Sequence, residues 1–270
     1  MPEGGHWYKH DGTACHFQGD GKRTTLREAR KQNLYPSVSG IIGLLANDGL
    51  DVWRVNTHIL IAADNRRKYE EEDKDYVRRI RGIAGRDKDA ILDFGTGVHD
   101  GIEQINNWFI KEHSGKVVEV KDENALFRKL KITWEYWPWM TYYLKWAYEH
   151  LDEVVASELT LVHDDGYAGT TDLLAIMKDG TQALIDWKTQ NVKARATFYP
   201  KFCEQLVAYR NCLDEPEKVS LVSVVIDSNI ASPFFTKTWK PKEVSIAETV
   251  FTCCLKIWQA TKKYKPEVGE

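Results

Sequence analysis

No apolar run in this chain approaches the roughly 20 residues that a membrane-crossing helix requires. The opening residues, Met1-Pro2-Glu3-Gly4-Gly5-His6, hold neither an apolar signal core nor a basic transit helix, so a cytoplasmic protein is expected. Cysteine is sparse and unpatterned. Cys15, Cys203, Cys212, Cys253 and Cys254 show no disulfide or zinc spacing and read as free thiols. His6, His10, Cys15 and His16 fit no zinc pattern either, and a polar hairpin around Asp11-Gly12 is the expectation there. Internal repeats and low-complexity linkers are absent. Gly95, Gly97 and Gly101 are wrongly spaced for a dinucleotide fingerprint. Positive charge is not in excess: 37 basic against 40 acidic residues give a net charge of −3, so bulk electrostatics announce no nucleic-acid partner. What is there belongs to a folded protein. With 43% hydrophobic and 11% aromatic residues, a disordered chain is excluded. A length of 270 residues allows one sizeable core with additions, or at most two small domains.

The most informative stretch runs from Gly169-Thr170-Thr171-Asp172 to Asp186-Trp187-Lys188. Residues 170–177 and 182–189 read as short apolar strands, and Lys178-Asp179-Gly180 reads as the turn between them. A three-residue loop pairs Met177 with Thr181, which puts Asp172 directly opposite Asp186. Lys188 follows two residues on, on the same face. A two-residue loop would turn one carboxylate to the other side. The chemistry therefore requires the longer loop, with Gly180 as its left-handed residue. Two carboxylates and a lysine gathered this way make a divalent-cation site, the apparatus for activating water against a phosphodiester.

The preceding turn repeats the pattern. Residues 154–162 read as a strand and Asp164-Asp165-Gly166 as its turn. Pairing His163 with Tyr167 brings Glu158 opposite Asp172, in a row with Asp186. Carboxylates about 5 Å apart repel by roughly 3 kcal/mol at an effective dielectric of 20, so such a row needs a cation. The flanking Leu173, Leu174, Leu184, Ile185 and Trp187 mark buried strands, where unpaired acids are costly. A bulge at Gly169 would shift Glu158 out of line.

Two helices carry the remaining candidates. One is expected to start near Thr96, a fair N-cap, with Val98, Ile102, Ile105 and Phe109 on its buried side. His99 and Glu103 share another face. Taken alone, His99 reads as a hydrogen-bonded core histidine. The other helix sets Gln205 and Tyr209 four residues apart, with Phe202, Leu206 and Leu213 as its packing stripe.

In this order, Gly95-x-x-x-His99, Gly169-x-x-Asp172, Asp186-x-Lys188 and Gln205-x-x-x-Tyr209 resemble the motifs of the RecB-type branch of the PD-(D/E)XK nucleases. Each motif is weak alone; four in order, covering residues 95–209, are fairly specific. Tyr35-Pro36-Ser37-Val38-Ser39-Gly40-Ile41-Ile42 also resembles a segment of phage-encoded members and of the mitochondrial genome maintenance exonucleases. Asp186 stands where many relatives carry Glu, and both bind metal. The resemblance implies an α/β (α+β) restriction-endonuclease-like mixed sheet flanked by helices, with a helical N-terminal insertion or arch. It implies Mg²⁺ or Mn²⁺ held by His99, Asp172, Asp186 and the backbone carbonyl of Trp187. Lys188 would orient or deprotonate the attacking water; Gln205 and Tyr209 would support Lys188 and the DNA backbone. Some relatives carry an iron–sulfur cluster on one upstream and three C-terminal cysteines, a grouping that Cys15, Cys203, Cys212 and Cys253 do not match.

The remaining chain divides coarsely. Residues 1–35 read as a polar extension ending in a short basic helix near 25–32. Residues 36–150 read as mainly helical and are expected to pack over the site. Ser37 and Ser39 lie at a helix start whose amides could hold a phosphate. Residues 66–89 read as a densely charged helical segment without an apolar face. Residues 134–148 hold eight aromatics that read as core, with base stacking as the alternative, and Pro138 breaks or starts a helix among them. Residues 151–270 read as the catalytic core, with Leu221 to Ile226 as a further buried strand and a closing helix over 242–264. Lys193, Arg195 and Lys201 leave the catalytic strand with no acid among them and suit a DNA backbone. The expected activity is a DNA exonuclease acting on single strands or frayed ends. The alternatives are a duplex-processing or structure-specific endonuclease, an inactive nucleic-acid-binding module, and a metal-dependent hydrolase of another substrate.

Overall fold

In chain order the elements are β1 (Trp7–Tyr8), α1 (Leu26–Lys31), β2 (Tyr35–Pro36), α2 (Val38–Ile42), α3 (Asp48–Asp64), α4 (Asp73–His113), α5 (Glu123–Lys129) and α6 (Trp137–His150). There follow β3 (Leu151–His163), β4 (Tyr167–Met177), β5 (Gln182–Gln190), α7 (Pro200–Arg210), β6 (Ser220–Asp227), β7 (Phe235–Thr238) and α8 (Pro241–Lys262). This computed structural model describes residues 6–45 and 48–267, so residues 1–5 of the expected leaderless terminus lie outside the described residues. None of its helices is long and apolar enough to cross a membrane, among the described residues.

The fold is mixed α/β. Five strands form one mixed sheet in the order β3-β4-β5-β6-β7, and helices flank it. The two hairpins have the registers that their turn residues dictate. In β4–β5, Ile176 pairs with Gln182 and Leu173 with Ile185, and the Met177 amide bonds to the Thr181 carbonyl. Gly180 takes φ +84°, the left-handed conformation that a Cβ disfavours. In β3–β4, His163 pairs with Tyr167 and Gly166 takes φ +92°. That register runs on through Leu161 and Gly169, so no bulge at Gly169 shifts Glu158 out of line. The irregularities lie instead near the start of β3, between Leu151 and Glu153 and between Val154 and Ala156. β5 and β6 are parallel and joined through α7. From Leu221 to Asp227 every residue of β6 is buried, as suits a strand covered on both faces.

Three helical expectations need correction. No helix starts at Thr96; α4 begins at Asp73 and passes through Gly95, Thr96 and Gly97. Helix-interior glycine costs about 1 kcal/mol relative to alanine, and that is too little to end a helix containing no proline. Residues 66–72 precede this helix rather than belonging to it, so only part of the charged 66–89 segment is helical. The expected apolar stripe does form: Val98, Ile102, Ile105 and Phe109 are all buried. On α7, Leu206 is buried as expected, but Phe202 is half-buried and Leu213 lies past the helix end. Because α7 packs against both the sheet and α8, its buried side spreads over Cys203, Glu204 and the run from Leu206 to Tyr209.

The chain divides into two compact units, residues 1–44 with 98–270, and residues 45–97. In the larger unit, the hairpin around Asp11-Gly12 forms as expected, with Gly12 at φ +83° and the Thr13 amide on Asp11 Oδ1 at 2.8 Å. Its Trp7 and Tyr8 are buried, and Tyr264 beyond α8 donates to the Leu34 carbonyl at 2.8 Å. Pro138 starts α6. Of the eight aromatics around it, Tyr143 and Trp146 are core, Trp134 and Tyr148 are exposed and the others are half-buried. In the smaller unit, Tyr76 donates to the Ala62 carbonyl at 3.0 Å, and Arg79 grips Glu71 through Nε at 2.9 Å and Nη2 at 2.8 Å.

Candidate active site

β4 and β5 set the site because side chains alternate along a strand. Thr171 and Leu173 turn into the core, which leaves Asp172 facing the other way. Asp172 is held from two sides. Its Oδ2 accepts the Trp187 backbone N–H at 2.7 Å, and its Oδ1 lies 3.7 Å from His99 Nδ1. Trp187 is itself fixed. Its ring packs edge-on against Tyr143 and Trp146, and its backbone pairs with Val224 of β6. A buried aromatic thus aims a backbone donor at the carboxylate.

Asp186 and Lys188 form a second, tighter group. Lys188 Nζ lies 2.6 Å from Asp186 Oδ2 and donates to Gln205 Oε1 at 3.2 Å. Gln205 Nε2 in turn donates to the Tyr209 hydroxyl at 3.0 Å, and Lys188 stands over the Phe202 ring at 5.6 Å. Asp186 is almost fully enclosed. Burial pushes its pKa above the usual carboxylate range, with Asp172 adding to the rise and Lys188 opposing it. For Lys188, burial alone would lower the pKa, but Asp186 and Asp172 outweigh it and hold the ammonium charged. Gly169 makes room for this relay: a Cβ there would stand 2.7 Å from Tyr209 Cε1.

Among the described residues, the donors close enough together to hold one cation are His99, Glu158 and Asp172. One ligand atom from each lies within 4.8 Å of the others. Asp186 is not in that cluster; it stands beside it, engaged with Lys188. Glu158 reaches the cluster through an unusual backbone, with φ +51° in the middle of a strand. Its pKa is pushed up to about 8, first by desolvation and then by Asp172, Glu103, Asp100 and Asp186. Because Glu158 is exposed overall, the crowd of like charges is the firmer of these causes. The two carboxylates suit a hard divalent cation, and the imidazole nitrogen admits a transition ion as well.

The other expected residues lie in the β5–α7 loop, on α7 and at the start of α2. Lys193 and Arg195 are exposed in the loop that leaves β5, and Lys201 is half-buried in the first turn of α7. Gln190 closes that loop, donating to the Thr197 carbonyl at 2.7 Å and accepting its amide at 3.2 Å. Ser37 is buried and caps α2, accepting the Gly40 amide at 3.1 Å. Ser39 is exposed, with its hydroxyl 3.2 Å from that of Ser37. Three residues escaped sequence reasoning. Asn106 and Ser157 bond to each other behind Asp172, and the Tyr8 hydroxyl lies near Thr170 and Glu158. Asn106 gave a signal, an amide at helical spacing from Ile102 and Phe109 of the apolar stripe; Tyr8 gave none. None of three further cavities in the larger unit is lined by Asp172, Asp186 or Lys188.

Comparison with protein-family models yields no match, and a search of curated proteins yields none either.

Proposed function

We propose that the protein is a Mg²⁺- or Mn²⁺-dependent deoxyribonuclease with a restriction-endonuclease-like core. The observation that carries the reading is the joining of a His99–Glu158–Asp172 donor cluster to a charged lysine on the next strand. A binding module has no use for carboxylates facing a phosphate, and a surface cluster of acids has no use for a lysine held by its own relay. His99, Glu158 and Asp172 would hold the cation, with Asp186 close by. The bound ion supplies charge for the phosphoryl oxygens and lowers the pKa of water. Trp187 keeps Asp172 oriented through its N–H. Gln205, steadied by Tyr209, fixes the Lys188 ammonium where it can orient the attacking water and donate to a phosphate oxygen. Water adds to phosphorus as the P–O bond to the leaving strand breaks; the proton that the water gives up passes to solvent, and the departing oxygen takes one up from solvent.

The substrate is DNA, and attack from a free end of a single strand is the preferred mode, in line with the motif resemblance. A time course on end-labelled single-stranded, duplex and flapped DNA tests both statements, with circular single-stranded DNA as a further substrate. Cleavage is expected with Mg²⁺ or Mn²⁺ and not in EDTA, and the closed circle should resist. Asp172→Asn and Lys188→Ala should fold and lose more than about 100-fold in rate, the scale of a removed charge-stabilising group. Equal rates on circle and line would favour the endonuclease reading. Full activity in EDTA would remove the mechanism altogether.

A further inference from the structure

We infer that Asn106 is a positioning residue for the cation site, acting through Ser157 on Asp172 and through α4 on His99; this rests on the metal-dependent reading above. Asn106 is fully buried, and it is the middle of a chain of hydrogen bonds joining three elements to β4. The Tyr143 hydroxyl on α6 donates to Asn106 Oδ1. Asn106 Nδ2 donates to Ser157 Oγ on β3 at 3.2 Å. Ser157 then donates to the backbone carbonyl of Asp172 at 3.4 Å. The direction of these bonds is fixed from the Asp172 end. A carbonyl only accepts, so the single Ser157 proton is spent there. Ser157 must therefore accept from the amide nitrogen, which leaves Asn106 Oδ1 for the tyrosine.

The bond to Asp172 comes where the strand ladder needs support. Leu159 pairs with Thr171 and Ser157 with Leu173, and between them stands Glu158 in its left-handed conformation. A left-handed residue turns its peptide groups away from the extended ladder. At this point a side chain serves the Asp172 carbonyl. Asn106 also lies seven residues after His99 on α4, close to two full turns, so both project from nearly the same face. One amide thereby fixes the height and rotation of α4 against β3 and β4. The gap between His99 and Asp172 depends on both. Neither partner of Asn106 ligates anything, and the apolar stripe already packs the helix. An asparagine in that stripe adds geometry rather than burial.

The test is Mn²⁺ binding to the intact chain by calorimetry, with thermal unfolding of every variant. Ser157→Ala should remain folded and bind Mn²⁺ at least about 10-fold more weakly, the usual cost of losing a residue that orients a metal ligand. Ser157→Thr keeps the hydroxyl and should escape the roughly 10-fold or larger loss that removal of an orienting partner brings. Asn106→Leu should behave like Ser157→Ala or worse. Val222→Ala makes a core cavity on β6 away from this chain of bonds; it should lower the melting temperature and leave Mn²⁺ affinity alone. If Ser157→Ala binds Mn²⁺ like wild type, Asn106 is only a satisfied core amide and the inference falls, while the metal reading stands. If the wild-type protein binds no Mn²⁺, both fall together.

Discussion

Glu158 carries two penalties at once. Its φ of +51° is a conformation that costs an L-residue about 1–2 kcal/mol, and its carboxylate faces Asp172, Glu103, Asp100 and Asp186. A side chain kept under both conditions is a candidate for function rather than stability. Glu158→Gly relieves both penalties together and so sets function against stability. Glycine is at ease at this φ and removes the repulsion, although it has more freedom to lose on folding. In EDTA the melting temperature should rise by about 2 °C or more, corresponding to roughly 1 kcal/mol in a protein of this size. Cleavage in Mg²⁺ should fall by at least about 10-fold, as for the loss of a metal-orienting group. A lower melting temperature together with unchanged cleavage would falsify a functional role for Glu158. At this scale the sequence was partly legible. Asp172, Asp186 and Lys188 could be placed because strand alternation is rigid. Gly169 could not: its role is to clear space for Tyr209, a contact across elements that no local pattern records.

Elements with a strong local signal were the easiest to read. Both hairpins follow from one glycine each, since Gly180 and Gly166 supply the left-handed residue and the apolar alternation then fixes the register. The helix through Thr96 was harder, because a cap residue inside a helix looks the same in sequence as one at its start. The stripe on α7 was misjudged for a related reason: a helix covered on two sides has no single apolar face. The loop between β5 and α7 bears on function directly. It exposes Lys193 and Arg195, and Gln190 pins its two ends together. Binding of single-stranded DNA, measured against salt in a Lys188→Ala background to prevent cutting, should be weakened by the double change Lys193→Gln with Arg195→Gln. The slope of log affinity against log salt should flatten by about 1.4, from two lost phosphate contacts at about 0.7 each. An unchanged slope would show that this loop does not touch the backbone.

Long-range closure is the scale at which sequence says least. Asn33 Nδ2 donates to the Glu267 carbonyl at 2.9 Å, and the Tyr35 hydroxyl reaches the same carbonyl at 3.1 Å. No window of sequence contains both partners. Residues 1–35 consequently looked like a polar extension, yet Trp7, Tyr8 and Tyr35 are core to the larger unit, while Phe17 is exposed. Charge is different, because a cluster of acids has a consequence for the whole molecule that can be measured without any substrate. Asp100, Glu103, Glu158, Asp172 and Asp186 crowd one region in which Lys188 is the cation drawn into the core. The folded chain should therefore take up a divalent ion that the unfolded chain, with its acids dispersed, does not hold. A ligand selective for the folded state stabilises by about 2.7 kcal/mol at a hundred times its dissociation constant. For a protein of this length that is a rise of about 5 °C or more in melting temperature. Mn²⁺ and Mg²⁺ should both produce it, EDTA should reverse it, and Ca²⁺ should produce it while supporting little turnover, since its looser coordination positions water poorly. Asp172→Asn should abolish the rise, whereas Lys193→Gln should not. A melting temperature indifferent to all three ions would mean that the acids are a surface cluster, and the cation site would have to be given up whatever the cleavage assays showed.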